Sequence, residues 1–371
     1  MTEDPLYHIP DNLPVEGLDL GSMISQIVGA NTALARFDGQ LGSIQNPRVL
    51  LSPLMTQEAV VSSKIEGTQA TLEDVLEHEA DNREPEDSSK RKDIEEIINY
   101  RRALAFAEEK LSERPFNLNL LKSMHALLMD GVRGQNKRRG EFRREEIHIG
   151  PPGSEMEDAT YVPPPPFHLQ DLLDNWEAYY HSDPSDRLVQ LGILHAQFEM
   201  IHPFLDGNGR IGRILIPLFL HDMDVLNSPT FYASAYLEKT REEYYHRLAG
   251  ISERGDWEGW IRYFLTAIEE QANTNSQKVE SITDLYETTK GKVVDLVSSQ
   301  YTVKAIDALF ERPIFTSATF QELSGIPTQS AYRILRQLND GDVITCVRES
   351  SGPKPARYLF QPLLEIVGTY N

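Results

Sequence analysis

Along most of the chain apolar residues recur every three or four positions, the period of a helix with one buried face. Over residues 22–37 the stripe is Met23, Ile27, Ala30 and Leu34. A helix is predicted after Pro47, and another over 53–66. Thr71-Leu72-Glu73-Asp74 opens a short one, since Thr71 can cap and acidic residues suit a first turn. Ile94, Ile97, Ile98, Leu104 and Leu111 predict a long helix over 93–111, and 117–129 reads as one more. The densest stripe is Leu188, Leu191, Leu194, Phe198 and Ile201. It predicts a helix over 186–201, with Asp183 as its cap and Pro184 at its first position. Helices are expected before it at 168–181 and after it to about 289.

The period changes in a few places. Pro5, Pro10 and Pro14 make 1–20 an extended arm laid on the body. The charged stretch 81–92, with Pro85, reads as a surface loop. Ile147-His148-Ile149 alternates before Gly150-Pro151-Pro152, the pattern of a short strand or hairpin arm. Near the end, helices are predicted at 303–310, 316–323 and 328–339, the last after a Ser-Gly-Ile-Pro turn. Candidate strands follow at 343–348 and 357–360, with Gly352-Pro353 between them. That order is a winged helix-turn-helix. The fold class is therefore mainly α, with a β-hairpin arm and a C-terminal winged helix-turn-helix.

Composition narrows the functions. The 371 residues suit two or three domains. The net charge of −21 argues against nonspecific coating of nucleic acid or an anionic membrane. The longest apolar run, 214–220, is far too short for a membrane span. The start lacks a secretory pattern, and the lone Cys346 fits a reducing compartment, so a cytoplasmic protein is expected.

The chemistry is concentrated in His202-Pro203-Phe204-Leu205-Asp206-Gly207-Asn208-Gly209-Arg210-Ile211-Gly212-Arg213, between two apolar helices. Gly207, Asn208 and Gly209 tolerate positive φ and close backbone approach. Their N–H groups can cradle an anion at a helix N-terminus. Arg210 and Arg213 share a helix face, as two guanidinium forks for a polyphosphate would. Asp206 can hold Mg²⁺, and a neutral His202 can take a proton from a hydroxyl. Taken singly, each residue fits a capped helix, a solvated glycine loop or a core histidine. Together, in fixed order, they are far more specific. No Cys cluster or His-Glu-x-x-His supports zinc, and no P-loop or dinucleotide fingerprint appears.

The segment resembles the signature of the Fic (filamentation induced by cAMP) family, matching His-Pro-Phe-x-Asp-Gly-Asn-Gly-Arg-x-x-Arg throughout. The resemblance spans about residues 10–270. It implies a Fic-type helical core and AMP transfer from Mg-ATP to a Ser, Thr or Tyr hydroxyl of a target protein or of the chain itself. It implies His202 as general base, Asp206 as Mg²⁺ ligand and Gly207, Asn208 and Gly209 as the anion hole. Arg210 and Arg213 become phosphate ligands, with Ile211 and Gly212 beside them.

Ser62-Ser63-Lys64-Ile65-Glu66-Gly67 is by itself a helix end with a C-terminal glycine. Beside the signature it resembles the family's inhibitory motif. Ser62, Glu66 and Gly67 then form a helix in which Glu66 pairs with Arg213 and blocks the γ-phosphate position. Gly140-Glu141-Phe142-Arg143-Arg144 leads to Ile147, His148, Ile149 and Gly150. On residue type this is a surface hairpin with a solvated basic run, which includes Arg133 and Lys137. By resemblance it is the flap that frames ATP and docks a target by strand addition. Tyr244 and Tyr245 read as core, or by resemblance as the border of the adenine pocket. The loop after them, Ser252-Glu253-Arg254-Gly255-Asp256, departs from the family pattern in lacking an Asn.

The expected division is an N-terminal inhibitory helical region at 1–115, a catalytic core at 116–275, a helical linker at 276–300 and the winged module at 301–371. That last module carries seven basic and seven acidic residues. Neutrality weighs against DNA and towards protein docking or self-association. A homodimer is expected on a separate ground, since reversible association could hold the inhibitory helix in place. Two other functions remain open: a nucleotide-sensing transcriptional regulator using the winged helix, and AMP removal at the same site.

Overall fold

The computed structural model describes residues 7–81, 87–131, 138–151, 153, 155–352 and 354–368. Pro5, Pro85, Arg133, Lys137, Pro152 and Pro353, each read above from sequence, lie outside them. In chain order the elements are α1 (Ile24–Leu41), α2 (Pro47–Leu50), α3 (Ser52–Ile65), α4 (Leu72–Asp81), α5 (Ser88–Leu111), α6 (Leu118–Leu128), α7 (Leu169–Tyr180), α8 (Arg187–Ile201) and α9 (Asn208–Asp222). Then come α10 (Ser234–Lys239), α11 (Arg241–Arg254), α12 (Trp257–Val297), α13 (Thr302–Glu311), β1 (Ile314–Thr316), α14 (Ser317–Ser324), α15 (Thr328–Asp340), β2 (Thr345–Arg348), β3 (Arg357–Leu359) and α16 (Gln361–Gly368). The stretch expected as a linker is the second half of α12, which runs unbroken for 41 residues. Part of the expected loop at 81–92 is helix, since α5 already starts at Ser88.

The chain forms two compact units from interleaved pieces. One comprises Met1–Arg36 and Asn99–Asn273, the other Phe37–Ile98 and Thr274–Asn371.

The first unit is built around α8. Its sequence stripe suggests one buried face, yet every residue from Leu188 to Ile201 except Glu199 is buried. A helix buried all round needs its polar side chains satisfied inside. Gln190 Nε2 donates to Tyr179 O at 2.7 Å, and Gln197 Nε2 to Asp11 O at 2.9 Å. Trp176 on α7 and Trp260 on α12 donate their indole N–H to Leu194 O and Gly192 O. A Cβ at Gly192 would meet the Phe264 ring at 3.1 Å, so glycine lets α12 pack close. Asp186, not Asp183, caps α8: its Oδ1 accepts from Leu188 and Val189 N–H, both at 2.9 Å. Asp183 instead pairs with Arg187 at 2.8 Å, so the helix starts later than its Asp-Pro signal suggests. The N-terminal arm is tied down by Asn175, which bonds both the N–H and the C=O of Leu13.

In the second unit, α13, α14 and α15 pack with a three-stranded antiparallel sheet of order β1-β3-β2. The predicted helices and both predicted strands are present. The sequence reading missed β1, only three residues long and wholly buried, and α16. The module also packs on earlier chain: β1 on α4, α13 on α2 and α3, and α16 on α3. Thr316 and Thr319 hydroxyls donate to Ala80 O at the end of α4. Arg348 forms a two-pronged pair with Asp81, both distances 2.6 Å.

Candidate active site

The signature lies at the turn from α8 into α9. α8 ends in His202, which takes the left-handed conformation with φ 48° and ψ 62°. Glycine is usual there, and a non-glycine residue held in this region costs about 1–3 kcal/mol. His202 Nδ1 lies 3.2 Å from Glu199 O. A carbonyl only accepts, so Nδ1 donates there, and in the neutral ring this tautomer leaves Nε2 as the acceptor, the form a general base needs.

Asn208 then folds the loop back on itself. Its Oδ1 accepts from Phe204 N–H and its Nδ2 donates to Phe204 O, both at 2.8 Å. The Asn208 side chain is thus spent on loop shape, leaving its N–H for the helix N-terminus. Gly207 caps α9 at φ 79° without a capping side chain. The first-turn N–H groups therefore have no intrahelical partner, as an anion cradle requires. A Cβ on Gly207 would sit 3.1 Å from Met129 Sδ and strain the backbone as well. Asp206 Oδ1 accepts from Gly207 N–H at 2.7 Å and lies 3.5 Å from Arg210.

Arg210 and Arg213 are both buried. Ile211 is fully buried and its N–H is used by Gly207 O, so it serves packing. Gly212 is where α8 and α9 close up, for a Cβ there would run into the Glu199 carboxylate and sit 3.4 Å from the Phe198 ring.

Two histidines absent from the sequence reading of the site support it from beneath. His125 on α6 accepts from Gly140 N–H at Nδ1 (2.9 Å), so its Nε2 donates to Asp206 O (3.0 Å). Its ring stacks on Phe204 with centroids 3.8 Å apart. Burial lowers its pKa to about 4. His195 on α8 donates from Nδ1 to Gly212 O (3.2 Å) and accepts from Tyr244 OH (2.9 Å). Burial lowers it to about 3, with the Arg213 charge adding to the effect. Both are neutral at working pH. A histidine flanked by one N–H and one carbonyl cannot be read from sequence spacing.

Tyr244 is buried, whereas Tyr245 is exposed and meets it edge-on. The core reading thus fits Tyr244 and not Tyr245. The flap is simpler than a hairpin of regular strands. One antiparallel bridge, Ile149 with Tyr161, closes it; Ile147 is half-buried, and His148, Ile149 and Gly150 are exposed. Arg143, expected in a solvated basic run, is buried.

Ser62, Glu66 and Gly67 belong to the second unit. Glu66 is the C-cap of α3 and Gly67 takes φ 99°. Gly67 N–H donates to Lys64 O and Thr68 N–H to Ser63 O, a Schellman ending that orients Glu66. Ser62 is fully buried and Glu66 exposed.

Residues 24–109 match the Fic/DOC family N-terminal model and residues 115–220 the Fic/DOC family model. Over 133 residues the chain is 28% identical to protein adenylyltransferase Fic of Drosophila grimshawi and 27% to that of Drosophila melanogaster. The match covers 35% of this chain and 24% of each relative, so the chain spans about a quarter of their length. Its fold is similar to a Fic family protein from Desulfovibrio desulfuricans G20, with TM-score 0.56 and 20% identity over 95% of this chain and 98% of that one. A Fic domain containing signaling protein from Bacteroides thetaiotaomicron gives TM-score 0.53 at 14% identity, over 68% and 97%. With both models matched in order and the whole signature gathered at one helix N-terminus, the chain belongs to the Fic/DOC family.

Proposed function

We propose that the protein is an adenylyltransferase, moving AMP from Mg-ATP to a Ser, Thr or Tyr hydroxyl of a target protein. One observation carries the reading: the uncapped α9 N-terminus stands beside a histidine whose proton is held on Nδ1. The N–H groups of Asn208 and Gly209, with Arg210 and Arg213, hold the phosphates, and Gly207, whose N–H is taken by Asp206 Oδ1, gives the cradle its turn. The hydroxyl oxygen attacks the α-phosphorus and its proton passes to His202 Nε2. The bond from that phosphorus to the pyrophosphate oxygen breaks, and pyrophosphate leaves. Asp206 suits Mg²⁺, since a single half-exposed carboxylate beside phosphates is a common donor set for it. Bound there, the ion would neutralise phosphate charge. Tyr244 and Tyr245 border the base, and the edge at Ile147, His148, Ile149 and Gly150 receives the target strand.

Glu66 is proposed as the brake, pairing with Arg213 to displace the γ-phosphate, with Ser62 and Gly67 fixing the helix that presents it. No described helix is long and apolar enough to cross a membrane, in keeping with the cytoplasm as working place. The test uses ATP labelled on its α-phosphate. Glu66→Gly should label itself or lysate proteins well above wild type, and adding His202→Ala should abolish labelling while ATP still binds. Failure of Glu66→Gly to label anything would overturn the reading and favour a nucleotide sensor.

A further inference from the structure

A helix C-terminus leaves its last carbonyls without intrahelical partners. At the end of α8, Phe198 O accepts from His202 N–H and Glu199 O from the His202 ring, while the four carbonyls that follow, Met200 to Pro203, are engaged by the segment 143–161. Tyr161 OH donates to Met200 O at 2.8 Å. Arg143 supplies the next three: Nη2 donates to Ile201 O (3.2 Å), Nε to His202 O (2.9 Å) and the backbone N–H to Pro203 O (2.9 Å). The same guanidinium also donates to Pro164 O at 2.6 Å and Glu145 O at 3.3 Å. Four consecutive carbonyls around His202 are thus held by the two ends of the flap segment. The flap itself is closed between those ends by the Ile149–Tyr161 bridge.

The Arg143 side chain is buried, and the hydrogen bonds found for its guanidinium go to carbonyl oxygens. Burying a cation this way is costly unless its N–H groups are satisfied. Arg143 meets that condition with carbonyls at a helix C-terminus, where the dipole favours positive charge. Burial lowers its pKa only to about 10, so it stays charged. The expense is not needed to end a helix, because a glycine would do so. What Arg143 adds is a fixed left-handed backbone at a non-glycine residue, His202, and a rigid link from it to the flap.

We infer that Arg143 is the positioning residue of His202, with Tyr161 as its weaker partner, so that a strand docked on the flap is held in register with the general base. The inference rests on the transfer reading above and adds to it the residue that ties target binding to the proton acceptor. Misplacing a reacting group by about 1 Å can cost 100-fold in rate without changing substrate affinity.

The experiment is made in full-length Glu66→Gly protein. Arg143→Gln should lower the labelling rate at saturating ATP by about 100-fold, Arg143→Lys by about 10-fold and Tyr161→Phe by less, with the ATP dissociation constant within about twofold throughout. Amide exchange, followed without any activity, should speed up by about 10-fold in the peptide 199–205 of Arg143→Gln and stay unchanged at 210–220. An unchanged labelling rate, an equal loss of ATP affinity, or unchanged exchange at 199–205 would each overturn the inference. Should Arg143→Gln fail to melt cooperatively, Arg143→Lys decides, and a parental rate in it overturns the inference. If the Glu66→Gly parent labels nothing, the transfer reading falls, while exchange still decides whether Arg143 holds His202.

Discussion

Two regions of this acidic chain gather arginines: the turn into α9 and the C-terminal segment from α13 to β3. They use them differently. At the turn, Arg210 and Arg213 are buried beside a glycine-capped helix N-terminus, with first-turn N–H groups beside them. In the C-terminal segment, Arg348 is locked onto Asp81, and Arg357 pairs with Glu77 at 3.2 Å and Asp81 at 3.6 Å. Positive charge counted along a sequence does not distinguish the two. What distinguishes them is the surroundings: a glycine-capped helix N-terminus at the turn, and two acidic side chains of α4 in the other segment.

The sharpest way to break this contrast is to remove one arginine from each region. In the Glu66→Gly background, Arg213→Ala should reduce labelling by about 100- to 1,000-fold, the usual cost of losing one fixed donor to developing phosphate charge. Arg348→Ala should leave labelling within about twofold. Equal losses in the two variants would show that the turn is not the phosphate site.

Acid should separate the regions next. His125 and His195 are buried under the turn with pKa values lowered to about 4 and about 3, while residues 302–368 contain no histidine. The unfolded chain binds these two protons near pH 6.5 and the folded chain does not. Their contribution to stability is therefore complete above about pH 6.5. It is lost as pH falls towards their folded values, at up to about 1.4 kcal/mol per pH unit for each. Chemical denaturation from pH 7 to 4.5 should show a steep fall. His125→Gln and His195→Gln, each less stable at pH 7, should each flatten it. A slope unchanged in both would contradict the buried neutral assignment.

The same contrast shows how far sequence reaches. The period of apolar residues located nearly every long helix, because burial of a stripe is a local pattern. The signature was legible because its residues are contiguous. The grouping of 37–98 with 274–371 was not, since it depends on packing between segments some two hundred residues apart. β1 was missed because three residues carry no period, and α16 gave no capping signal. Asp183 and Asp186 are equally good caps by residue type, and only the position of Leu188 and Val189 N–H decides between them. Arg143 is the clearest case: in a run of arginines it looks solvated, and only three-dimensional proximity to four carbonyls makes it worth burying.

A smaller effect tests the claim that Asp81 occupies Arg348. Their side chains are 11% and 27% exposed, and the pair is two-pronged, so it exceeds an ordinary surface ion pair. A double-mutant cycle with Asp81→Asn and Arg348→Gln should give a coupling of about 1–2 kcal/mol in denaturant unfolding, only weakly reduced by salt. A coupling near zero would release Arg348 for another ligand.

The smallest expected effect is on DNA. With Arg348 and Arg357 held by carboxylates, the outward cations on α15 and between β2 and β3 are Arg333, Arg336 and Lys354. Three cations could displace at most about three counterions, giving a salt slope no steeper than about −2.7. That is too little for firm binding by a chain of net charge −21, whose field opposes approach. A gel shift with duplex DNA at low salt should therefore show no complex at micromolar protein. A shift that appears and then disappears in Arg333→Ala/Arg336→Ala would reverse the argument. It would mean that α15 alone recognises DNA, and that the arginines locked on Asp81 and Glu77 hold the module's shape.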